Sequence, residues 1–359
     1  VTIRPRRRPA WGKKAARDCG ATGPPAATIR LFAPRLPTVL KNLAGVKHAL
    51  IAIMASALTM SGCEADVATI GPTQPTRYHS SSIDGLSIFY REAGPAYAPT
   101  IVLLHGFPSS SRMYEPLFAR LSSRFHLIAP DYPGFGHSST PPATSFAYTF
   151  DHITEIVEKF TEGIGLKRYV LYMQDYGGPV GIRLAIHHPE RVQGFIVQNA
   201  VFHAVGLGPL WRKREEFWAN RAANETEFRA TFLSAETTRQ RHIGSNPCAD
   251  TIDPDRWTDE LEFLSRPGEA DIQTDLFYDY RTNVASYPRW GAWLRQNQPR
   301  SLVVWGRYDP SFRVDEVSAY QKDVPATETR LLDAGHFALN DRPDEVAQLV
   351  AAFLDGISK

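Results

Sequence analysis

Cysteine is scarce in this 359-residue chain: only Cys19, Cys63 and Cys248 occur, and only Cys248 falls in the part that reads as a folded body. No disulfide can close within that body, and Cys248 reads as structural rather than nucleophilic. No group of Cys and His has metal-ligand spacing, so no metal is expected. Gly134-Phe135-Gly136 does not complete a dinucleotide fingerprint, so neither a phosphate cradle nor a cofactor is expected. Internal repeats and low-complexity segments are missing too. Positive charge is short where it would matter for nucleic acid. The net charge is +2, but residues 1–47 carry eleven Lys/Arg against Asp18 alone, which leaves +2 minus +10, or −8, for the remainder. Nothing in that remainder suggests a nucleic-acid surface.

Long apolar runs are also absent. The run His48–Leu58 follows Lys41 and Lys47 and ends in Ser61-Gly62-Cys63. It is short for a bilayer span, but a charged start, an apolar stretch and a small-residue exit make a secretory signal pattern. The exit is similar to a bacterial lipoprotein signal, with Cys63 as the residue to be lipidated. A start near Val39 would give a compact signal peptide. Export to the periplasm or a lipid anchor is expected, and a cytoplasmic protein if the leader does not function. Residues 1–75, closing on the linker Gly71–Pro75, are set apart from the fold.

From Tyr78 the pattern changes. Ser81–Ile83 and Leu86–Tyr90 flank Asp84-Gly85 and read as a hairpin. Ile101–Leu104, His126–Ala129, Tyr169–Met173 and Gly194–Val197 are short apolar runs without helical period, hence buried strands. Met113–Leu121, Phe150–Phe160 and Val180–Ala185 read as the helices between them. The alternation stops over residues 202–298, which are helical, and resumes at Leu302–Trp305 and Thr329–Leu332 before a closing helix at Glu345–Leu354. A mostly parallel central sheet flanked by helices is expected. Its core would come from residues 76–201 and 299–359, with residues 202–298 a helical cap.

In parallel sheets function collects where strands end. The first apolar run leads into His105-Gly106-Phe107-Pro108, the third into Gln174-Asp175-Tyr176-Gly177-Gly178. The strand after the insertion leads into Asp309-Pro310, and the last into Gly335-His336. Singly, each has an ordinary explanation: Asp175 a helix cap, Asp309 a turn residue, His336 a hydrogen-bonded structural histidine. Together they stand in the order nucleophile, acid, histidine, each at a strand end, which is the order of α/β-hydrolases.

From about Arg77 to Lys359 the chain resembles the α/β-hydrolase superfamily, and most of all its epoxide hydrolase and haloalkane dehalogenase branch, where the nucleophile is an aspartate. The resemblance gives that role to Asp175, with Gly177-Gly178 allowing the tight turn behind it. It also implies oxyanion donors at the backbone N–H groups of Phe107 and Tyr176, and a cis bond before Pro108. A carboxylate is already ionised at neutral pH, with an ordinary pKa of about 3.9. Attacking an acyl carbon it would form an anhydride, whereas attacking an sp³ carbon it forms an ordinary ester. Small apolar electrophiles and water are therefore the expected partners. His336 would activate the water that cleaves the ester, and Asp309 would hold its tautomer.

Epoxides and halides differ in what their leaving group needs. An epoxide oxygen needs a proton donor, and Tyr280-Arg281 sits where the family's Tyr-Arg pair occurs; Tyr280 is the candidate acid, with Tyr278 or Tyr287 as the second tyrosine. A halide needs N–H donors. Here Tyr176 rather than Trp follows Asp175, and Phe107 rather than Asn stands in the His-Gly-X-Pro segment, leaving Trp211 and Trp218 as possible donors. Epoxide hydrolysis leads and haloalkane or haloacid dehalogenation follows. A non-catalytic receptor on the same fold and an esterase or lactonase are the remaining readings. Dehalogenases of haloacids would also need basic residues for the substrate carboxylate, which the sequence does not single out.

Overall fold

The computed structural model describes residues 73–209 and 211–357. Cys63, the leader and the export reading attached to them lie outside the described residues. The first two strands, β1 (Arg77–Ile83) and β2 (Leu86–Ala93), form the expected hairpin. Asp84 and Gly85 between them have φ of 49° and 82°, the pair of positive values that a two-residue turn needs to match strand twist.

The chain then alternates. Strand β3 (Thr100–Leu104) is followed by α1 (Glu115–Leu121), β4 (His126–Pro130) by α2 (Phe150–Gly163), and β5 (Tyr169–Gln174) by α3 (Gly177–His187) and β6 (Val192–Gln198). Two of these helices differ at their starts from the sequence reading. Met113 belongs to a 3₁₀ turn, Ser111–Tyr114, because Pro116 fits only the first turn of the helix proper. Helix α3 opens at Gly177, three residues before Val180, because the chain turns into it directly after Asp175.

Between β6 and β7 (Ser301–Gly306) run α4 (Trp211–Ala219), α5 (Arg221–Phe232), α6 (Ala235–Ile243), α7 (Thr258–Leu264) and α8 (Glu269–Asn297). The chain closes with α9 (Asp315–Asp323), β8 (Glu328–Leu332), α10 (Ala338–Asp341) and α11 (Pro343–Ile357). The eight strands form one sheet in the order β1-β2-β4-β3-β5-β6-β7-β8. Neighbours from β4 to β8 are parallel, and the β1–β2 and β2–β4 pairs are antiparallel.

Apolar residues at successive positions point to opposite faces of a strand, so a continuous apolar run needs cover on both. One core holds Val102, Leu104, Leu171, Met173 and Val197 against Ile153, Val157 and Val180 of α2 and α3. The other holds Ile101, Leu103, Val170, Tyr172 and Ile196 against Leu117, Phe118, Val350 and Phe353 of α1 and α11. Each such aliphatic side chain contributes about 1.5–3 kcal/mol when fully buried. The parallel strands between these layers all end on one edge of the sheet, and every candidate site residue outside the insertion follows one of those ends.

Candidate active site

Asp175 follows β5 with φ of 48°, a left-handed conformation unusual for a residue with a side chain. The turn is tolerated because its neighbours lack side chains. A Cβ on Gly177 would sit 2.0 Å from the Leu104 carbonyl oxygen, and one on Gly106 would sit 2.3 Å from the Asp175 Cβ. The turn therefore lifts the Asp175 carboxylate beyond the sheet edge and presses it against the loop leaving β3. There the Phe107 N–H donates to Asp175 Oδ1 at 2.9 Å, and the Tyr176 N–H also bonds the carboxylate. Both backbone donors named from the sequence thus face Asp175. The Phe107–Pro108 bond is cis, as the resemblance implied.

His105 braces that loop. Its ring is buried and stacks on Tyr132 with centroids 4.1 Å apart. Nδ1 lies 3.0 Å from the Gly106 carbonyl, and Nε2 accepts the Tyr132 N–H at 3.2 Å. Burial lowers its pKa, so the neutral ring that this pattern requires is favoured.

His336 is 1% exposed. Its Nδ1 lies 2.8 Å from Asp309 Oδ2, and its Nε2 lies 3.6 Å from Asp175 Oδ2. A carboxylate only accepts, so Nδ1 carries the proton and Nε2, on the Asp175 side of the ring, is the nitrogen left with a lone pair. Burial pulls the imidazole pKa down, but the Asp309 charge and hydrogen bond outweigh it, and the net shift is upward. Burial likewise pushes the Asp175 carboxyl up, against the pull of His336, the two backbone N–H groups and Arg241. Asp309 is held by the N–H groups of Ser311 at 2.6 Å and Phe312 at 3.1 Å. Such an arrangement can present a carboxylate to an electrophile from one side and a basic nitrogen to a water from the other.

The structure adds residues that the sequence reading passed over. Asn199, directly after β6, donates to Asp309 Oδ2 at 2.8 Å and accepts the Gly306 N–H at 2.9 Å, while its carbonyl accepts the Asp175 N–H at 3.3 Å. Its signal was available, since it follows a buried strand like the others. Gln174 Nε2 lies 2.9 Å from His336 Nε2. Arg214 of α4 and Arg241 of α6 line a space of about 10 Å³ beside Asp175, together with Phe107, Tyr176, Trp211, Phe232, Phe277, Ser311 and His336. That volume is about one water's worth.

Tyr280 is fully buried, and its hydroxyl approaches that of Tyr287 to 3.4 Å. Burial raises both phenols, and the Asp175 charge raises both further. Tyr287 is thus the tyrosine that joins Tyr280. Tyr278 instead packs against Phe217 with the guanidinium groups of Arg221 and Arg281 over its ring. The idea that Trp211 and Trp218 have N–H groups to spare is corrected. Trp211 Nε1 donates to the Ser311 carbonyl and Trp218 Nε1 to the Phe277 carbonyl, each at 2.9 Å.

Residues 99–343 match the alpha/beta hydrolase fold family, and the chain belongs to it. An uncharacterised hydrolase of Saccharomyces cerevisiae is 36% identical over 278 residues, covering 76% of this chain and 95% of that protein. Haloalkane dehalogenase 2 of Mycobacterium tuberculosis is 28% identical over 271 residues, covering 70% of this chain and 86% of its own length. Among solved structures, the epoxide hydrolase CorEH superposes with a TM-score of 0.65 at 17% identity, over 79% of this chain and 100% of that one. The protein is an enzyme, a hydrolase with haloalkane dehalogenases among its relatives, and it shares its fold with an epoxide hydrolase.

Proposed function

We propose that this hydrolase opens epoxides to diols through an ester on Asp175. The observation that carries the reading is the Asp175 carboxylate raised on its turn, with two backbone N–H groups on it and His336 Nε2 at 3.6 Å. Asp175 attacks a ring carbon, the ring C–O bond breaks, and the ring oxygen takes the Tyr280 proton. His336 then removes a proton from water, whose oxygen attacks the Asp175 carboxyl carbon. The Phe107 and Tyr176 N–H groups stabilise the resulting oxyanion. Collapse expels the alkoxide, which takes the carboxyl proton, and the imidazolium returns its proton to the Tyr280 phenolate. The sum is addition of one water to the epoxide.

Epoxide over halide is favoured by the commitment of the Trp211 and Trp218 indoles to backbone carbonyls, while among the described residues the Tyr280 and Tyr287 hydroxyls bond each other. Dehalogenation is the second reading, supported by the guanidinium groups of Arg214 and Arg241 beside Asp175, which could receive a departing halide.

The test is His336→Gln, incubated separately with epoxides and haloalkanes and read by intact mass. Loss of the base should slow ester cleavage by about 10²–10⁴-fold, so the ester should accumulate. Gain of a whole epoxide mapped to Asp175 supports epoxide hydrolysis. Gain of an alkyl group without its halogen turns the reading to dehalogenation. Absence of any adduct from substrates that the wild type consumes would overturn the covalent mechanism.

A further inference from the structure

The same helices that cover Asp175 place two cations beside it, with Asp175 as the nearby opposite charge. Arg241 is 4% exposed; its Nη2 donates to the Phe232 carbonyl at 2.9 Å, and its Nη1 is buried with no hydrogen-bond partner. Its guanidinium lies 4.7 Å from the Phe107 ring centroid and 4.6 Å from that of Phe232. Arg214 is half-buried, 4.3 Å from the Trp211 ring centroid. Among the described residues neither makes an ion pair. Nearby arginines of the same insertion do: Arg221 with Glu225 and Asp275, Arg229 with Glu225 and Asp271, and Arg239 with Glu236.

Burying a guanidinium without a paired carboxylate is costly; burial foremost, and then the neighbouring Arg214 charge, lower the Arg241 pKa to about 10. For a wholly neutral, apolar substrate this arrangement would be a cost without a return. We propose that Arg214 and Arg241 form an anion subsite, and that the substrate carries a carboxylate close to its electrophilic carbon. This rests on Asp175 being the nucleophile and names the class of substrate it attacks.

The chemistry is consistent in three respects. An anionic nucleophile approaching an anionic substrate needs fixed positive charge between them, and both guanidinium groups line the same small space as the Asp175 carboxylate. Alkylation removes the Asp175 charge that offsets the arginines, and a substrate carboxylate replaces it. The guanidinium fork matches a planar carboxylate in a way a lysine would not. Arg214 and Phe232 also line a larger pocket of about 410 Å³ with Phe217 and Phe228, so an apolar chain can extend outward from the charged end.

Matched substrates test this: glycidate against glycidol for epoxides, and chloroacetate against 2-chloroethanol for halides. Propionate serves as a non-reactive probe whose binding to the wild type is followed by calorimetry. Wild type should prefer the carboxylate member of whichever pair it consumes, and propionate should bind and inhibit competitively. Arg241→Met keeps the packing between Phe107 and Phe232. It should lose about 10–100-fold more in kcat/KM on the carboxylate member than on the neutral one, as expected for a charge-assisted hydrogen bond, and lose propionate binding. Arg241→Lys, which keeps the charge, should recover part of both.

Equal turnover of both members, or equal loss on both in Arg241→Met, overturns the carboxylate subsite while leaving Asp175 in place. So does failure of propionate to bind, or its displacement by chloride at equal concentration, which would make the arginines a halide site. Failure of the Asp175 reading gives a different result: propionate binds and depends on Arg241, but His336→Gln traps no ester from substrates that the wild type consumes.

Discussion

Gln174 Nε2 lies 2.9 Å from His336 Nε2, the nitrogen that faces Asp175. With the other ring nitrogen donating to Asp309, this contact is an amide N–H on the imidazole lone pair. Such a bond favours the neutral ring. Gln174→Met should remove it and raise the His336 pKa further above its ordinary value. The neutral base is lost as pH falls through that pKa, so the acid limb of ester cleavage should move to higher pH in the variant. Pre-steady-state cleavage of the trapped ester across pH measures it. An unmoved limb would mean that Gln174 only fills space.

Tyr280 and Tyr287 share one hydroxyl contact at 3.4 Å, yet only Tyr280 is given the proton-donor role. Tyr280→Phe should slow ester formation from an epoxide by about 10²-fold or more while leaving cleavage of a preformed ester nearly intact. Tyr287→Phe should have the smaller effect on ester formation. Rapid-quench kinetics separates the two steps. The reverse ranking would move the acid to Tyr287.

Burial raises the Asp175 pKa in the folded state. A carboxyl raised above its ordinary value of about 3.9 is harder to ionise folded than unfolded. Its charge therefore lowers stability once pH exceeds the ordinary value, and the full penalty stands above the folded value. Asp175→Asn should abolish turnover and raise stability near neutral pH, on the order of 1 kcal/mol or about 2–4 °C in Tm. A lower melting temperature in calorimetry would show that Asp175 instead holds the arginines in place.

His203 bridges Glu316 and Asp323, with Nδ1 2.8 Å from Glu316 Oε1 and Nε2 3.1 Å from Asp323 Oδ2. Burial lowers its pKa, but the two carboxylates outweigh that and the net shift is upward. Its contribution to stability is fully present below the ordinary value of about 6.5 and is lost as pH rises through the raised folded value. Urea melts should show the wild type losing stability over that window relative to His203→Gln. Parallel pH curves would remove the charge from the account.

The sequence exposed the sheet and the Asp175, Asp309 and His336 set because both rest on local signals. A buried strand announces itself in five or six residues, and the chemistry follows at its exit. Asn199 obeyed the same rule and was readable there. Arg214 and Arg241 were not readable, since α4 to α6 carry many charges and only docking onto the sheet decides which face Asp175. The indole of Trp211 is a similar case. Its partner Ser311 is 100 residues away, so sequence offers a free donor where the fold supplies a satisfied one.

Strands β6 and β7 lie side by side, with Phe195–Gln198 paired to Ser301–Val304, although the whole helical excursion separates them in the chain. Because the pair is parallel, the excursion leaves at the carboxyl end of β6 and returns at the amino end of β7, so it crosses back along the sheet by about three residues, roughly 10 Å. A crossover whose two ends are each fixed by a buried strand can be lengthened, shortened or exchanged as a cassette without shifting sheet register. Grafting residues 200–298 from a relative should thus change which molecules are accepted while the Asp175, Asp309 and His336 positions stay put. Ancestral tinkering and laboratory recombination would then share a pair of splice points.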